Sequence, residues 1–133
     1  RPCIQLSAKI EEELAQLDPS EREEFLADLG LTAPARDRLI RACYEALNLV
    51  SFLTVGPDEC RAWTVREGTP AVEAAGEIHS DIARGFIRAE LVAYDDLRAA
   101  GDMKTAKAAG KVRLEGKEYL VQDGDVINFR FNV

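Results

Sequence analysis

The sequence lacks the features of membrane-spanning, disulfide-bonded and zinc-binding proteins. Its apolar runs stay well below the ~18 residues that a membrane helix needs, so we expect no membrane contact. Cysteine occurs three times, at Cys3, Cys43 and Cys60. An odd number without close spacing predicts buried, reduced thiols in a cytoplasmic protein. The chain also lacks an initial Met and begins within an apolar run, so we expect it to be a fragment of a longer protein.

An excess of basic charge is also missing. The net charge of the 133 residues is −7, and the pI is about 4.8. Residues 1–50 carry six positive and ten negative side chains, and residues 51–133 carry eleven and fourteen. This balance argues against the wholesale wrapping of nucleic acid, but it leaves room for a local basic patch.

The first fifty residues are predicted to be mostly helical. Asp18 and Pro19 form a helix start, and Glu21 follows Asp18 at the spacing of a capping box. Gly30 ends that helix, and Pro34 begins the next. Apolar residues recur at helical spacing in this segment, so we expect an amphipathic helical region.

The stretch from 63 to 91 is predicted to fold as strand, helix and strand. Thr69 precedes Pro70, which predicts a helix capped by Thr69 and opened by the proline. After Gly85, apolar and polar residues alternate over 86–92, which is the pattern of a β-strand. This alternation predicts that Ile87, with two further apolar residues, faces the core.

The rest of the chain is predicted to be short helices and strands. Asp102 caps one such helix, and strands at 112–114 and 118–121 flank a hairpin-like turn. The last strand places Phe129 and Phe131 on one face. Two strands, a helix and further strands with helices on one side predict an α+β fold. Central first and last strands would make it a β-grasp, the ubiquitin-like fold.

Two polar groups suggest chemistry but are better explained as structure. His79, Ser80 and Asp81 are adjacent, whereas the members of a catalytic triad must converge around a nucleophile from separate positions. We expect His79 to cap a helix C-terminus instead. Asp123 and Asp125 lack the further ligands of a calcium loop, so they predict a turn. No catalytic residue and no metal site is predicted.

Five segments resemble the TGS domain of the YchF, or Obg-like ATPase, family. They are Arg61-Ala62-Trp63-Thr64-Val65, Ala74 to Asp81, Gly85 to Glu90, Ala108-Ala109-Gly110-Lys111 and Val121 to Val133. Members of the family are P-loop nucleotide hydrolases that associate with ribosomes, many preferring ATP to GTP. The resemblance implies a β-grasp TGS domain at 51–133. It also implies that 1–50 is the helical C-terminal end of a nucleotide-binding domain.

Nucleotide chemistry is implied for the full-length protein but not for this chain. The chain lacks the motif G-x-x-x-x-G-K-[ST], which cradles nucleotide phosphates and supplies a magnesium ligand. We therefore expect the chain alone to hydrolyse neither ATP nor GTP and to hold no cofactor. In the full-length protein the resemblance implies ATP or GTP with Mg²⁺. Ser7, Ala8 and Lys9 resemble the last guanine-nucleotide motif, whose backbone faces the base.

The resemblance leaves two functions open. In the first, the TGS domain contacts the ribosome or RNA, and the candidate contacts are basic residues of the second half: Arg84, Arg88, Lys107, Lys111 and Arg113. Convergence of these side chains would suit phosphate binding. In the second, the domain only packs on its own nucleotide-binding domain and gates that domain's motion, without RNA contact.

Overall fold

A computed structural model describes residues 3–56 and 58–133. These residues divide into two compact units, with the boundary between Leu47 and Asn48. Every helix in the described ranges is too short or too polar to cross a bilayer.

The first unit is helical, as predicted. Its helices are α1 (Ala8–Gln16), α2 (Pro19–Asp28) and α3 (Ala35–Ala46). The capping box forms, because the Asp18 amide donates to the Glu21 carboxylate at 3.1 Å. The Glu11 carboxylate accepts a hydrogen bond from the Ala35 amide at 3.0 Å and so ties α1 to the start of α3.

The second unit is an α+β domain around a five-stranded sheet. Its elements are β1 (Leu49–Val55), β2 (Cys60–Arg66), α4 (Ala71–Ile78), α5 (Ser80–Arg84), β3 (Phe86–Ala93), α6 (Tyr94–Ala100), α7 (Met103–Ala108), β4 (Arg113–Glu115) and β5 (Asp125–Phe131). The strand order is β2-β1-β5-β3-β4. Only β1 and β5 pair in parallel among these strands. The first and last strands thus lie side by side in the middle of the sheet, which confirms the β-grasp.

Apolar clusters cover the two faces of the sheet. The larger cluster joins Phe52, Leu91, Ile127 and Phe129 to α4. The Phe52 ring lies edge-on to Phe129, with 6.0 Å between the ring centroids. On the opposite face a smaller cluster of Val92, Ala106 and Val126 packs beneath α6 and α7. Side-chain alternation along the strands separates these two sets, as the sequence predicts.

Three local predictions are wrong. The N-cap of α4 is Pro70 rather than Thr69. Ile87 is 56% exposed, because an irregularity in the β3–β5 pairing between Phe86 and Arg88 turns its side chain outward. The predicted strand at 118–121 is reduced to one bridge between Pro70 and Leu120.

One long-range pairing explains the first and third of these differences. The Val121 amide donates to the Thr69 carbonyl, and the Ala71 amide donates to the Tyr119 carbonyl. The segment around Leu120 therefore pairs with the start of α4, and the expected hairpin with β4 does not form. The same contact holds Thr69 outside the helix.

The cysteine prediction is half right. Cys3, Cys43 and Cys60 are free thiols, but all three are exposed rather than buried. Cys60 begins β2 at an edge of the sheet, where its side chain meets solvent. Cysteine's general preference for burial did not hold at these positions.

Candidate ligand-binding cleft

The carboxylate of Glu90 is the centre of a charged group on the sheet. Glu90 lies on β3, and its side chain is only 9% exposed. One carboxylate oxygen accepts from the Lys107 ammonium at 3.1 Å, and the other accepts from the Arg130 guanidinium at 3.0 Å. The hydrogen bond from Arg130, followed by that from Lys107, holds the pKa of Glu90 below its ordinary value of 4.5. Glu90 therefore stays ionised and fixes both cations.

Arg88 adds a further cation to this face. It is the direct cross-strand partner of Arg130 in the antiparallel pairing of β3 with β5. Residues two apart on a strand share a face, so Arg88 lies on the same side as Glu90. In the part of the chain that the structure describes, Arg88 forms no ion pair. Like charges placed opposite each other repel, so Arg88 adds positive charge beside a guanidinium that is already paired with Glu90.

A cleft of about 570 Å³ lies next to Glu90. Its charged and polar lining consists of Glu90, Lys104, Lys107, Asn128 and Arg130, and its apolar lining includes Val55, Met103, Val112 and Val126. Lys104 is exposed and forms no ion pair with any described residue. The cleft thus joins an apolar floor to a cationic wall, in the size range of small-molecule sites.

The structure brings together only part of the predicted basic set. Arg88 and Lys107 lie on the Glu90 face. Arg84 pairs with Asp81 at 2.7 Å, and Lys111 pairs with Asp96 at 3.2 Å.

Arg113 projects from the opposite face of the sheet. It is the cross-strand partner of Leu91, which belongs to the core beneath α4. Its guanidinium donates to the Tyr119 hydroxyl at 3.3 Å, so it is not part of the Glu90 group.

Sequence reasoning missed Lys104 and Arg130 as members of this group. The alternation of β5 already placed Arg130 on the face opposite Phe129. What could not be read from the sequence was the antiparallel register that sets Arg130 against Arg88. Lys104 reaches the cleft because α7 packs over Val92 and Val126 on that face.

The segment Ser7 to Lys9 forms the start of α1. The Ser7 hydroxyl accepts from the Ile10 amide at 3.4 Å and so caps the helix. The amides of Ala8 and Lys9 have no hydrogen-bond partner among the described residues. They are first-turn donors, which a helix cannot satisfy internally.

A cleft of about 380 Å³ opens beside this segment. It is lined by Gln5, Leu6, Ser7, Ile10, Glu11, Leu31 and Arg38. The Nε of Arg38 is buried and has no hydrogen-bond partner within the described ranges. A buried donor without a partner is energetically costly, and Arg38 is a cationic side chain in the lining of this cleft.

The acidic and histidine groups serve structural roles. His79 is the C-cap residue of α4, as expected, but it makes that cap with its backbone amide, which donates to the Ala75 carbonyl at 3.2 Å. The predicted side-chain role is wrong, because the His79 Nδ1 accepts from the Asp81 amide at 3.1 Å and so caps the N-terminus of α5. Asp123 accepts from the Ser51 amide at 2.8 Å. The buried Asp125 accepts from the Tyr119 hydroxyl at 2.8 Å. In residues 3–56 and 58–133, no three His, Cys, Asp or Glu side chains are placed to hold a metal ion.

Comparison with known proteins gives a consistent result. Residues 49–132 match a family model called YchF-GTPase_C, described as a protein of unknown function (DUF933). The chain is 58% identical over 130 residues to the ribosome-binding ATPase YchF of Bacillus subtilis. It is 46% identical over 129 residues to the Obg-like ATPase 1 of Homo sapiens. These alignments cover 98% and 97% of the chain, but only 36% and 32% of the relatives.

A solved structure supports the same relationship. The YchF GTPase of Schizosaccharomyces pombe superposes with a TM-score of 0.78 at 36% identity. The superposition covers 94% of this chain and 33% of that protein. The chain thus spans about a third of the length of the relatives that it matches.

Proposed function

Because the chain belongs to the YchF-GTPase C-terminal family, we propose that it is part of a nucleotide-hydrolysing protein that acts at the ribosome in the cytoplasm. The observation that carries this proposal is the 58% identity to a protein named as a ribosome-binding ATPase. In this proposal 1–50 is the end of the nucleotide-binding domain and 51–133 is the TGS domain. The TGS domain is the binding and regulatory module.

The nucleotide would meet this chain through its base. The unpaired amides of Ala8 and Lys9 are suitable donors to a base, and the neighbouring cleft has room beside Ser7. The phosphates and Mg²⁺ do not fit this chain, which has no phosphate-binding loop. A bound nucleotide supplies the phosphoanhydride bond that is hydrolysed. We expect this chain to orient the base and to show no hydrolysis by itself.

Contact with the ribosome is assigned to the basic residues of the second unit. Arg88 and Lys107 are the best placed of the predicted set, because they share the Glu90 face. Arginine and lysine on an exposed face neutralise RNA phosphates and release counterions. The proposed RNA contacts are Arg84, Arg88, Lys107, Lys111 and Arg113, of which Arg113 lies on the opposite face of the sheet from Arg88.

One observation favours the alternative of a gating module without RNA contact. Arg84, Lys107 and Lys111 each already lie within 3.2 Å of a carboxylate oxygen. An RNA phosphate would have to compete with these intramolecular partners. In the alternative, the second unit packs on the nucleotide-binding domain and controls its motion.

Ribosome co-sedimentation across a salt series tests the proposal. We expect a protein carrying this chain to bind ribosomes with an affinity that falls with salt by about 0.7–0.9 log units per phosphate contact for each log unit of salt. Replacement of Arg84, Arg88, Lys107 and Lys111 by Gln should flatten that slope. Nucleotide hydrolysis should be unchanged in the same variant.

A matched control replaces four other exposed arginines and lysines by Gln: Arg61, Arg66, Arg98 and Lys117. It changes the net charge by the same amount and should keep the parental slope. If the first variant instead sediments like the parent at every salt concentration, the RNA-facing surface is wrong and the gating module replaces it.

A further inference from the structure

We propose that the cleft beside Glu90 is a binding site for a small molecule carrying a phosphomonoester on an apolar or planar body. In this site Lys104, Lys107 and Arg130 hold the phosphate, and the body lies on the apolar floor. The inference goes beyond ribosome binding and does not depend on it.

The charge of the cleft matches a phosphomonoester. Lys104, Lys107 and Arg130 contribute three positive charges, and Glu90 contributes one negative charge, so the lining carries a net charge of +2. A phosphomonoester carries about −1.5 to −2 at neutral pH. A single carboxylate or phosphodiester carries only one negative charge and would leave part of the cationic wall unmatched.

The wall is held in place before a ligand arrives. Glu90 is nearly buried, and its two oxygens are each bonded to one of the two cations, Lys107 and Arg130. The side chains of Lys107 and Arg130 are 65% and 53% exposed, so they can still donate to a ligand. A lysine ammonium has three donors and an arginine guanidinium five, so Glu90 uses only part of this capacity. Preorganisation of this kind lowers the cost of binding.

The apolar floor of the cleft determines which kind of group the ligand can carry besides its phosphate. Met103 and Val112 pack against the buried cluster around Val126, and Val55 stands 48% exposed at the side of the cleft. This surface suits an apolar or flat group a few rings in size. Among the described residues that line the cleft, none has an aromatic side chain on which successive bases of a single-stranded RNA would stack. A small ligand therefore suits the cleft better than a polynucleotide.

The test is a titration of the whole 133-residue chain with adenosine 5′-monophosphate, followed by amide shifts in ¹H–¹⁵N NMR spectra. We expect saturable shifts at Met103 and Asn128 within about 10 mM ligand. Inorganic phosphate lacks the body and adenosine lacks the phosphate, so each should bind more weakly. A short oligouridylate serves as the RNA probe and should shift these amides less than the nucleotide at equal concentration.

Two variants and a control locate the site. The double variant Lys104→Gln/Arg130→Gln should bind at least about tenfold more weakly, because it removes two charge-assisted donors. Lys104→Gln alone should bind the nucleotide several-fold more weakly and should leave the Glu90 ion pairs intact. This single variant therefore remains informative if the double variant unfolds. Arg66→Gln/Lys117→Gln removes the same charge outside the cleft and should bind like the parent.

Several results would overturn the proposal. Any one of three results is sufficient. The first is the absence of saturable shifts at the cleft amides, and the second is equal binding of adenosine and its monophosphate. The third is unchanged binding of the nucleotide by both Lys104→Gln and the double variant. Saturation of the same amides by oligouridylate at lower concentration than by the nucleotide would make the cleft an RNA site instead.

Discussion

At the residue scale, Glu90 owes its character to partners that are distant in the chain. The strand alternation predicts that Arg88 and Glu90 share a face, and the structure agrees. Lys107 and Arg130 reach the same carboxylate from α7 and β5, 17 and 40 residues away. Helix packing and strand register decide such convergence, and neither is encoded in the local pattern. This is why the sequence identified half of the cation group and missed the rest.

The ion pairs of Glu90 predict a specific dependence of stability on pH. The folded-state pKa of Glu90 is lowered, so its contribution to stability is present above the ordinary value of 4.5 and is lost as the pH falls through the folded-state pKa. We expect Glu90→Gln to be less stable than the parent at pH 7. This difference should shrink as the solution is acidified to about pH 3.

Urea unfolding at a series of pH values measures that difference. Glu77→Gln, which removes an exposed carboxylate from α4, is the matched control and should follow the parent at every pH. A stability difference for Glu90→Gln that stays constant across the acid range would show that its ion pairs do not stabilise the fold.

At the element scale, the sequence predicted which segments become helices and strands better than it predicted their partners. Asp102 caps α7, as the sequence predicted, and Gly101 ends α6. The segment around Leu120 instead pairs with Pro70, fifty residues earlier. From the local sequence alone, a hairpin with β4 is the expected partner for this segment. The start of α4, however, has backbone groups without partners inside the helix, and the long-range pairing with Leu120 supplies their hydrogen bonds.

The junction of α5 and β3 provides a prediction at this scale. A Cβ at Gly85 would collide with the backbone carbonyl of Asn132, whose amide donates to the Gly85 carbonyl at 3.0 Å. Backbone atoms cannot rotate away as a side chain can. We therefore expect Gly85→Ala to destabilise the domain by about 1–3 kcal/mol, measured as the free energy of unfolding in urea.

Gly116 offers the control for this substitution. A Cβ there meets no heavy atom of the described residues within 4 Å, and the backbone does not adopt a positive φ. Gly116→Ala should change the free energy of unfolding by no more than about 0.5 kcal/mol. Equal effects at the two glycines would mean that the close approach to Asn132 is relieved without cost.

At the scale of the whole molecule, the second unit contains its own core. Every member of its two apolar clusters lies between Val50 and Phe129. We expect residues 48–133, made as a separate chain, to fold cooperatively. Their ¹H–¹⁵N spectrum should overlay the signals of the same residues in the 133-residue chain. Poorly dispersed signals would instead show that the helical unit is needed for this fold.

The central position of β5 has a consequence for synthesis from the N-terminus. Without β5 the sheet falls into two antiparallel ribbons, β1 with β2 and β3 with β4, each with an open edge. Among the five strands of the sheet β5 is translated after the other four, so the two ribbons cannot be joined before residue 125 has been synthesised. A chain that stalls before that residue leaves the Phe52 cluster half-built and accessible to proteases. The complete native sheet can therefore form only after the ribosome has translated β5.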